Sequence, residues 1–253
     1  MIKADILVAT HKQYNFPHIS HYTPIHVGRA LSNTDLGYLT DNTGENISNK
    51  NKSFCELTAL YWAWKNNYFS PYDYCGLVHY RRYFQGDTRF GKYKILSMEE
   101  IENAFQEHDI ILPVRRKYYI ETVYSHYDNA HNANDLLRLR EVLAEKYPEY
   151  IITHDIMMRQ RSLHLYNMFV MPTPLFEHYA QWLFDILFTL EKRIDLSSYD
   201  DYQRRVFGFL GERLLNLWVL HNGLRVRSVP VVNLEGENLF YKAYGLFKRK
   251  YLS

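Results

Sequence analysis

Apolar residues divide the chain into short continuous runs of strand length and longer stretches with one apolar face. Asp5-Ile6-Leu7-Val8-Ala9-Thr10 reads as a buried first strand that closes on His11-Lys12-Gln13. A loop-rich stretch follows as far as Asp41-Asn42-Thr43-Gly44, a strong turn signal. Ser53-x-x-Glu56 reads as a capping box, and Leu57, Leu60, Tyr61 and Trp64 share one face of the helix it opens. A second buried run, Cys75 to Tyr80, comes next, and Ser97-x-x-Glu100 caps another helix. His108 to Pro113 returns as a strand, and residues 133–147 read as a helix that stops before Pro148. Tyr166 to Met171 is a further strand. Thr173, with Pro174 at the first helical position, opens a long amphipathic helix to about Arg193. A last helix runs from about Asp200 to Asn222 and stops at Gly223, and Arg225 to Val232 gives a terminal strand. Strands alternating with helices predict an α/β fold, a mostly parallel sheet with helices on both faces. No repeat, low-complexity tract or linker interrupts the chain, so residues 1–253 read as one domain.

The most informative segment is Tyr74-Cys75-Gly76-Leu77-Val78-His79-Tyr80-Arg81-Arg82-Tyr83-Phe84, where an apolar run switches abruptly to His-Tyr-Arg-Arg. Open α/β sheets bind ligands at the carboxyl ends of their strands, and paired guanidinium groups suit phosphate because they pair bidentately and keep their charge. The same residues also read as a basic, solvated strand end.

Composition narrows the ligand. Tyrosines are abundant, 23 with 14 phenylalanines, which suits surfaces that hold sugars or flat ligands as well as ordinary boundary packing. A net charge of only +2 argues against a dedicated nucleic-acid binder. Cys55 and Cys75 form no metal pattern and fit a reducing, cytoplasmic compartment. No signal peptide and no membrane-spanning run is expected. A basic-aromatic tail at about 245–253, including Phe247-Lys248-Arg249-Lys250-Tyr251-Leu252, offers peripheral contact with an anionic membrane, or is simply a frayed end.

His18, His21 and His26 lie close together without completing a zinc spacing. Gly-x-Gly-x-x-Gly, phosphate-loop and Gly-x-Ser-x-Gly signatures are absent, which argues against dinucleotide enzymes, P-loop NTPases and α/β-hydrolases. Glu212 stands out in Gly208-Phe209-Leu210-Gly211-Glu212-Arg213-Leu214, where the glycines permit a close backbone approach at what reads as the start or an interruption of a helix. An ion pair with Arg213 or Arg205 is the alternative reading of that carboxylate.

Four blocks carry a resemblance: Tyr22-x-Pro24-Ile25-x-Val27-Gly28, Asp41-Asn42-Thr43-Gly44-Glu45-Asn46-Ile47-Ser48, Phe54-Cys55-Glu56-Leu57-Thr58-Ala59-Leu60-Tyr61-Trp62-Ala63-Trp64-Lys65-Asn66 and Gly76-Leu77-x-His79-Tyr80-Arg81-Arg82-Tyr83. From Ile6 to about Pro230 the chain resembles a bacterial family of capsule, exopolysaccharide and lipopolysaccharide glycosyltransferases, long catalogued as a domain of unknown function, with some members assigned as galactofuranosyltransferases. The layout is also similar to GT-A (Rossmann-like) nucleotide-sugar transferases.

The resemblance implies a donor site at Thr10, His11, His79, Tyr80, Arg81 and Arg82, with His126 on a phosphate or sugar hydroxyl. It implies an acceptor side at Asn167 and Met168, and a catalytic carboxylate at Glu212, with Asp128 as the second choice. His79-Tyr80-Arg81-Arg82 stands where Asp-x-Asp is expected, so no metal and no other cofactor is expected, the arginines neutralising the leaving group instead. Asp128 and Asp41 are the aspartates that could reach a metal from a loop, and Glu56 reads as a capping residue before a catalyst. The implied activity is transfer of a hexose, such as galactofuranose, from a UDP-sugar to a lipid-linked or oligosaccharide acceptor. A catalytically silent nucleotide- or glycan-binding subunit of a polysaccharide assembly complex is the alternative. A two-carboxylate glycosidase fits poorly, having no use for a diarginine.

Overall fold

Ala4–Thr10 (β1) is buried along its whole length because a parallel strand flanks it on each side, Tyr22–His26 (β2) and Tyr74–His79 (β4). Its alternate residues serve two cores. Leu7 and Ala9 join the apolar cluster on one face of the sheet, and Ile6 and Val8 join the cluster on the other. The computed structural model describes residues 2–235, so the basic-aromatic tail at about 245–253 and any membrane contact through it lie outside the described residues.

Between β2 and β4 come Leu39–Thr40 (β3), Asn51–Phe54 (α1) and Leu57–Lys65 (α2). Arg82–Phe90 (β5) and Tyr93–Ile95 (β6) follow β4, then Met98–Ala104 (α3), Ile110–Pro113 (β7) and Arg116–Lys117 (β8). Helices Val123–Ala130 (α4), Ala133–Lys146 (α5) and Ile151–Arg159 (α6) precede Ser162–Leu163 (β9) and Phe169–Pro172 (β10). Thr173–Glu191 (α7), Val206–His221 (α8), Val226–Val229 (β11) and Val231–Asn233 (β12) complete the described chain.

The main sheet runs β11-β7-β10-β4-β1-β2-β3, parallel throughout except β10, which is antiparallel to both neighbours. It is the mixed, mostly parallel α/β sheet expected from the sequence. One face carries α2, α5, α7 and α8, and the other carries α3 with β5 and β6. Close contact between β4 and β10 depends on Gly76, where a Cβ would stand 2.6 Å from the carbonyl oxygen of Phe169.

Three sequence expectations shift. The loop-rich stretch before Asp41 contains β2, whose short run is interrupted by Pro24, and the two-residue β3. The predicted capping box at Ser53 does not form. Cys55 takes a left-handed φ of 52° and breaks the helix in two, while the Ser53 hydroxyl donates to the Lys50 carbonyl. The capping box at Ser97 and Glu100 does form. The last helix begins at Val206, after a 3-10 turn over Gln203–Arg205. Among the described residues no helix is long and apolar enough to cross a membrane.

Candidate active site

β4 ends in a tight turn, with His79 paired to Arg82 across it and Tyr80 and Arg81 at its tip. The Tyr80 N–H donates to the Ala9 carbonyl, which ties the tip to the end of β1. Tyr80 packs edge-on against His11 and Tyr14, and Lys12 stands over its ring. The turn forms one wall of a cleft of about 630 Å³ at the carboxyl ends of β1 and β4. The opposite wall is the 3-10 turn before α8 and the first turns of that helix, contributing Asp201, Arg204, Arg205, Gly208, Phe209 and Glu212. The break between α1 and α2 supplies Asn51, Lys52, Cys55 and Glu56.

Positive charge dominates the cleft, and most of it is uncompensated. Lys52, Arg82, Arg204 and Arg205 make no ion pair among the described residues. Arg82 lies 4.5 Å over the Tyr166 ring, and its buried Nε has no hydrogen-bond partner among them. Arg204 donates to the Tyr199 carbonyl, and Arg205 donates to the Cys55 sulfur at 3.3 Å. Burial pushes the Cys55 thiol up to about 12, so it is a neutral acceptor at neutral pH. Arg81 does have a carboxylate partner, Glu235 at 3.0 Å, which Lys12 shares at 3.3 Å.

Two carboxylates face these cations across a strained dipeptide. Tyr166 and Asn167, just before β10, both adopt left-handed φ, 78° and 51°. The Tyr166 N–H donates to Glu212 Oε1 at 2.8 Å, and its carbonyl bonds to His79 Nε2 at 2.7 Å. Asn167 Nδ2 donates to Glu56 Oε1 at 2.7 Å and to the Gly208 carbonyl. His79, lowered by burial, is the neutral donor in its bond. Glu212 makes only a long contact with Arg213, 3.5 Å, and its side chain is 20% exposed, on the cleft side. It sits within α8, where the sequence suggested a helix start. The glycines before it work as expected: a Cβ on Gly208 would meet Cys55 Sγ at 3.0 Å, and one on Gly211 would meet Leu57 at 2.8 Å.

Of the residues chosen from sequence, His11, His79, Tyr80, Arg81, Arg82 and Glu212 line this one cleft. The others do not. Thr10 is buried and its hydroxyl donates to the Lys12 carbonyl. His126 stacks on Tyr118 away from the lining, and Asp128 is exposed on α4, whose buried face carries Val123 and Tyr127 instead. Met168 is fully buried in the core of the opposite sheet face, because alternation along the chain turns it away. Asn167 lies behind the wall and touches the site through Glu56. Lys52, Arg204, Arg205, Tyr166 and Glu56 were missed. Glu56 was visible as a conspicuous acid, but the capping reading absorbed it.

The residues at the end of β4 do not fit a divalent metal: they are a neutral imidazole, a phenol and two guanidinium groups, where acidic oxygens would be needed. Among the described residues no cluster of three or more His, Cys, Asp and Glu side chains is arranged to hold one. Asp41 is fully engaged elsewhere, accepting from Gly28 N, Arg29 N, Ser48 and Thr58.

The profile of a family described as "Domain of unknown function (DUF4422)" matches residues 5–223. Among solved structures, the apo structure of the bifunctional glycosyltransferase WbbM is similar, at 29% identity and a TM-score of 0.84. The match covers 93% of this chain but 46% of that one, so the chain spans just under half of its length. The mannosyltransferase Ktr4p from S. cerevisiae matches at 10% identity and a TM-score of 0.36, covering 91% of this chain and 70% of that one. No curated protein matches.

Proposed function

The chain belongs to the DUF4422 family, and on that premise we propose that it is a glycosyltransferase that moves a sugar from a nucleotide-sugar donor to a hydroxyl of a glycan acceptor. The observation that carries the reading is a single cleft in which cations without carboxylate partners face a half-hidden carboxylate, Glu212. Arg82, Arg204, Arg205 and Lys52 would take the diphosphate, and the amino end of α8 adds its dipole to the same wall. As the bond from the anomeric carbon to the diphosphate breaks, its electron pair and the growing negative charge go to the nucleotide, held by those cations. Glu212 accepts the proton of the acceptor hydroxyl as its oxygen bonds to the anomeric carbon. In finer detail we propose a UDP-hexose donor, with galactofuranose a specific candidate, and a lipid-linked or oligosaccharide acceptor of bacterial surface polysaccharide, handled in the cytoplasm.

The second reading, a binding subunit without catalysis, rests on the replacement of Asp-x-Asp by His79-Tyr80-Arg81-Arg82. Purified protein mixed with UDP-sugars and an oligosaccharide acceptor should release UDP, and release should continue in EDTA. Arg82→Ala should weaken UDP binding by roughly tenfold or more, a loss of about 1.5–3 kcal/mol for a charge-assisted bond. Nucleotide binding with neither transfer nor slow donor hydrolysis favours the binding subunit. Unchanged UDP affinity in both Arg82→Ala and Arg205→Ala refutes the donor site itself.

A further inference from the structure

The strap from Val114 to Glu121 projects two large side chains into water with no fold-building role. It is rooted at Tyr118, which is buried, donates its N–H to the Arg161 carbonyl at 2.8 Å and stacks on His126 at 4.1 Å. β8 pairs with β9, Arg116 opposite Leu163 and Lys117 opposite Ser162, which stiffens the base of the strap. Beyond the root the backbone turns through Tyr119 at φ 59°, a conformation an aromatic residue rarely takes. That turn leaves Tyr119 79% and Ile120 72% exposed, and Val114 at the start of the strap is exposed as well.

Around this apolar tip positive charge predominates. Arg116, Lys117, Arg159 and Arg161 are exposed, and none pairs with a carboxylate among the described residues. Arg161 donates to the Tyr119 carbonyl, and Arg115 bonds the neutral groups of Gln160 and Ser162. Glu121, the one acid in the strap, is engaged by Asn129 at 2.8 Å.

We propose that this strap docks on the surface of an anionic lipid bilayer, with Tyr119 and Ile120 entering the interface and Arg116, Lys117, Arg159 and Arg161 resting on the headgroups. The charge complementarity decides the occupant. An apolar pair alone gives marginal adsorption, and adding a polybasic rim is what makes interfacial binding stable. Tyrosine suits the boundary, its ring in the acyl region and its hydroxyl among headgroups. Tyr118 does not line the cleft, although the charges of Arg213 and Glu212 reach it. The surface stands whether or not the chain transfers sugar.

The test is flotation of the full chain with vesicles of phosphatidylcholine and phosphatidylglycerol against phosphatidylcholine alone. Binding is expected to the anionic vesicles only, and to fall steeply as salt shortens the screening length from about 10 Å at 0.1 M to about 3 Å at 1 M. The double change Arg116→Ser with Lys117→Ser should lower partitioning by roughly 25-fold, at about fivefold for each cation. Tyr119→Asn with Ile120→Ser should lower it comparably, asparagine being chosen because it tolerates the left-handed turn. Circular dichroism and melting temperature should match the parent in both. In Ile120→Trp, the difference fluorescence should shift to the blue with anionic vesicles. Equal binding to neutral and anionic vesicles, or unchanged binding in both double variants, overturns the proposal. So does concentration-dependent self-association that the same variants abolish.

Discussion

Burial raises the Glu212 carboxyl above the ordinary carboxylate range, and Glu56 adds to the rise, while Arg213, the Tyr166 N–H and Arg82 oppose it. As a general base Glu212 must be ionised, so the acidic limb of turnover should lie above the usual value of 4.5. Glu212→Gln keeps an acceptor for the Tyr166 N–H and removes the basicity. Transfer should fall roughly 10²–10⁴-fold with UDP binding nearly intact. Steady-state kinetics and calorimetry of the variant check both. The same shift makes a stability prediction. Above 4.5 the unfolded chain releases this proton before the folded one does, so stability is lost as pH rises through the raised folded value. Glu212→Gln should therefore raise the melting temperature near neutral pH and leave it nearly unchanged at about pH 4. At this scale the sequence was readable where chemistry was concentrated, in His79 to Arg82 and in Glu212 between glycines. Arg204 and Arg205 were not, because they come from a turn with no periodic pattern. Asp128 lies exposed on α4 outside the cleft lining, a placement that a polar run does not disclose.

The small residues that bring elements together are the next level, and two of them set tight contacts. A methyl group on Gly76 would press on backbone, the Phe169 carbonyl at 2.6 Å, and backbone cannot rotate away. On Gly211 it would press on the Leu57 side chain at 2.8 Å and on Asn167 Oδ1 at 3.1 Å. Gly76→Ala should therefore be the costlier change, and Gly211→Ala should cost about 1–3 kcal/mol. Urea unfolding of the two variants ranks them. Elements with strong periodicity were legible: β1, β4, α7 and the Ser97 cap needed only pattern and propensity. The break at Cys55 was not, because a non-glycine residue in a left-handed conformation leaves no local signal and is held by the packing of α8 against it. That one break turned Glu56 from a capping residue into a lining residue.

Across the whole molecule the cleft gathers residues from segments far apart in the chain, near positions 9–11, 51–56, 79–82, 166 and 201–212. The mostly parallel character of the sheet followed from the alternation of strands and helices, but the reversal of β10 did not, since hydrophobic pattern has no direction. That reversal matters for motion. Because β10 runs against β4, the chain entering β10, not the chain leaving it, reaches the cleft, and the strap of Tyr166 and Asn167 is laced to His79 and the β4 ladder. The arginine turn of β4 and the support of Glu212 thus belong to one rigid body, and they cannot drift apart when a nucleotide arrives. Arg204 and Arg205 belong to a different piece of chain, a short turn held to the rest by Cys55 and, through Gln203 and Tyr202, by His131 and the Ala130 carbonyl. Any tightening around a bound diphosphate is therefore carried by that turn. Hydrogen exchange with and without UDP should show new protection in amides 200–206 and none in 166–170.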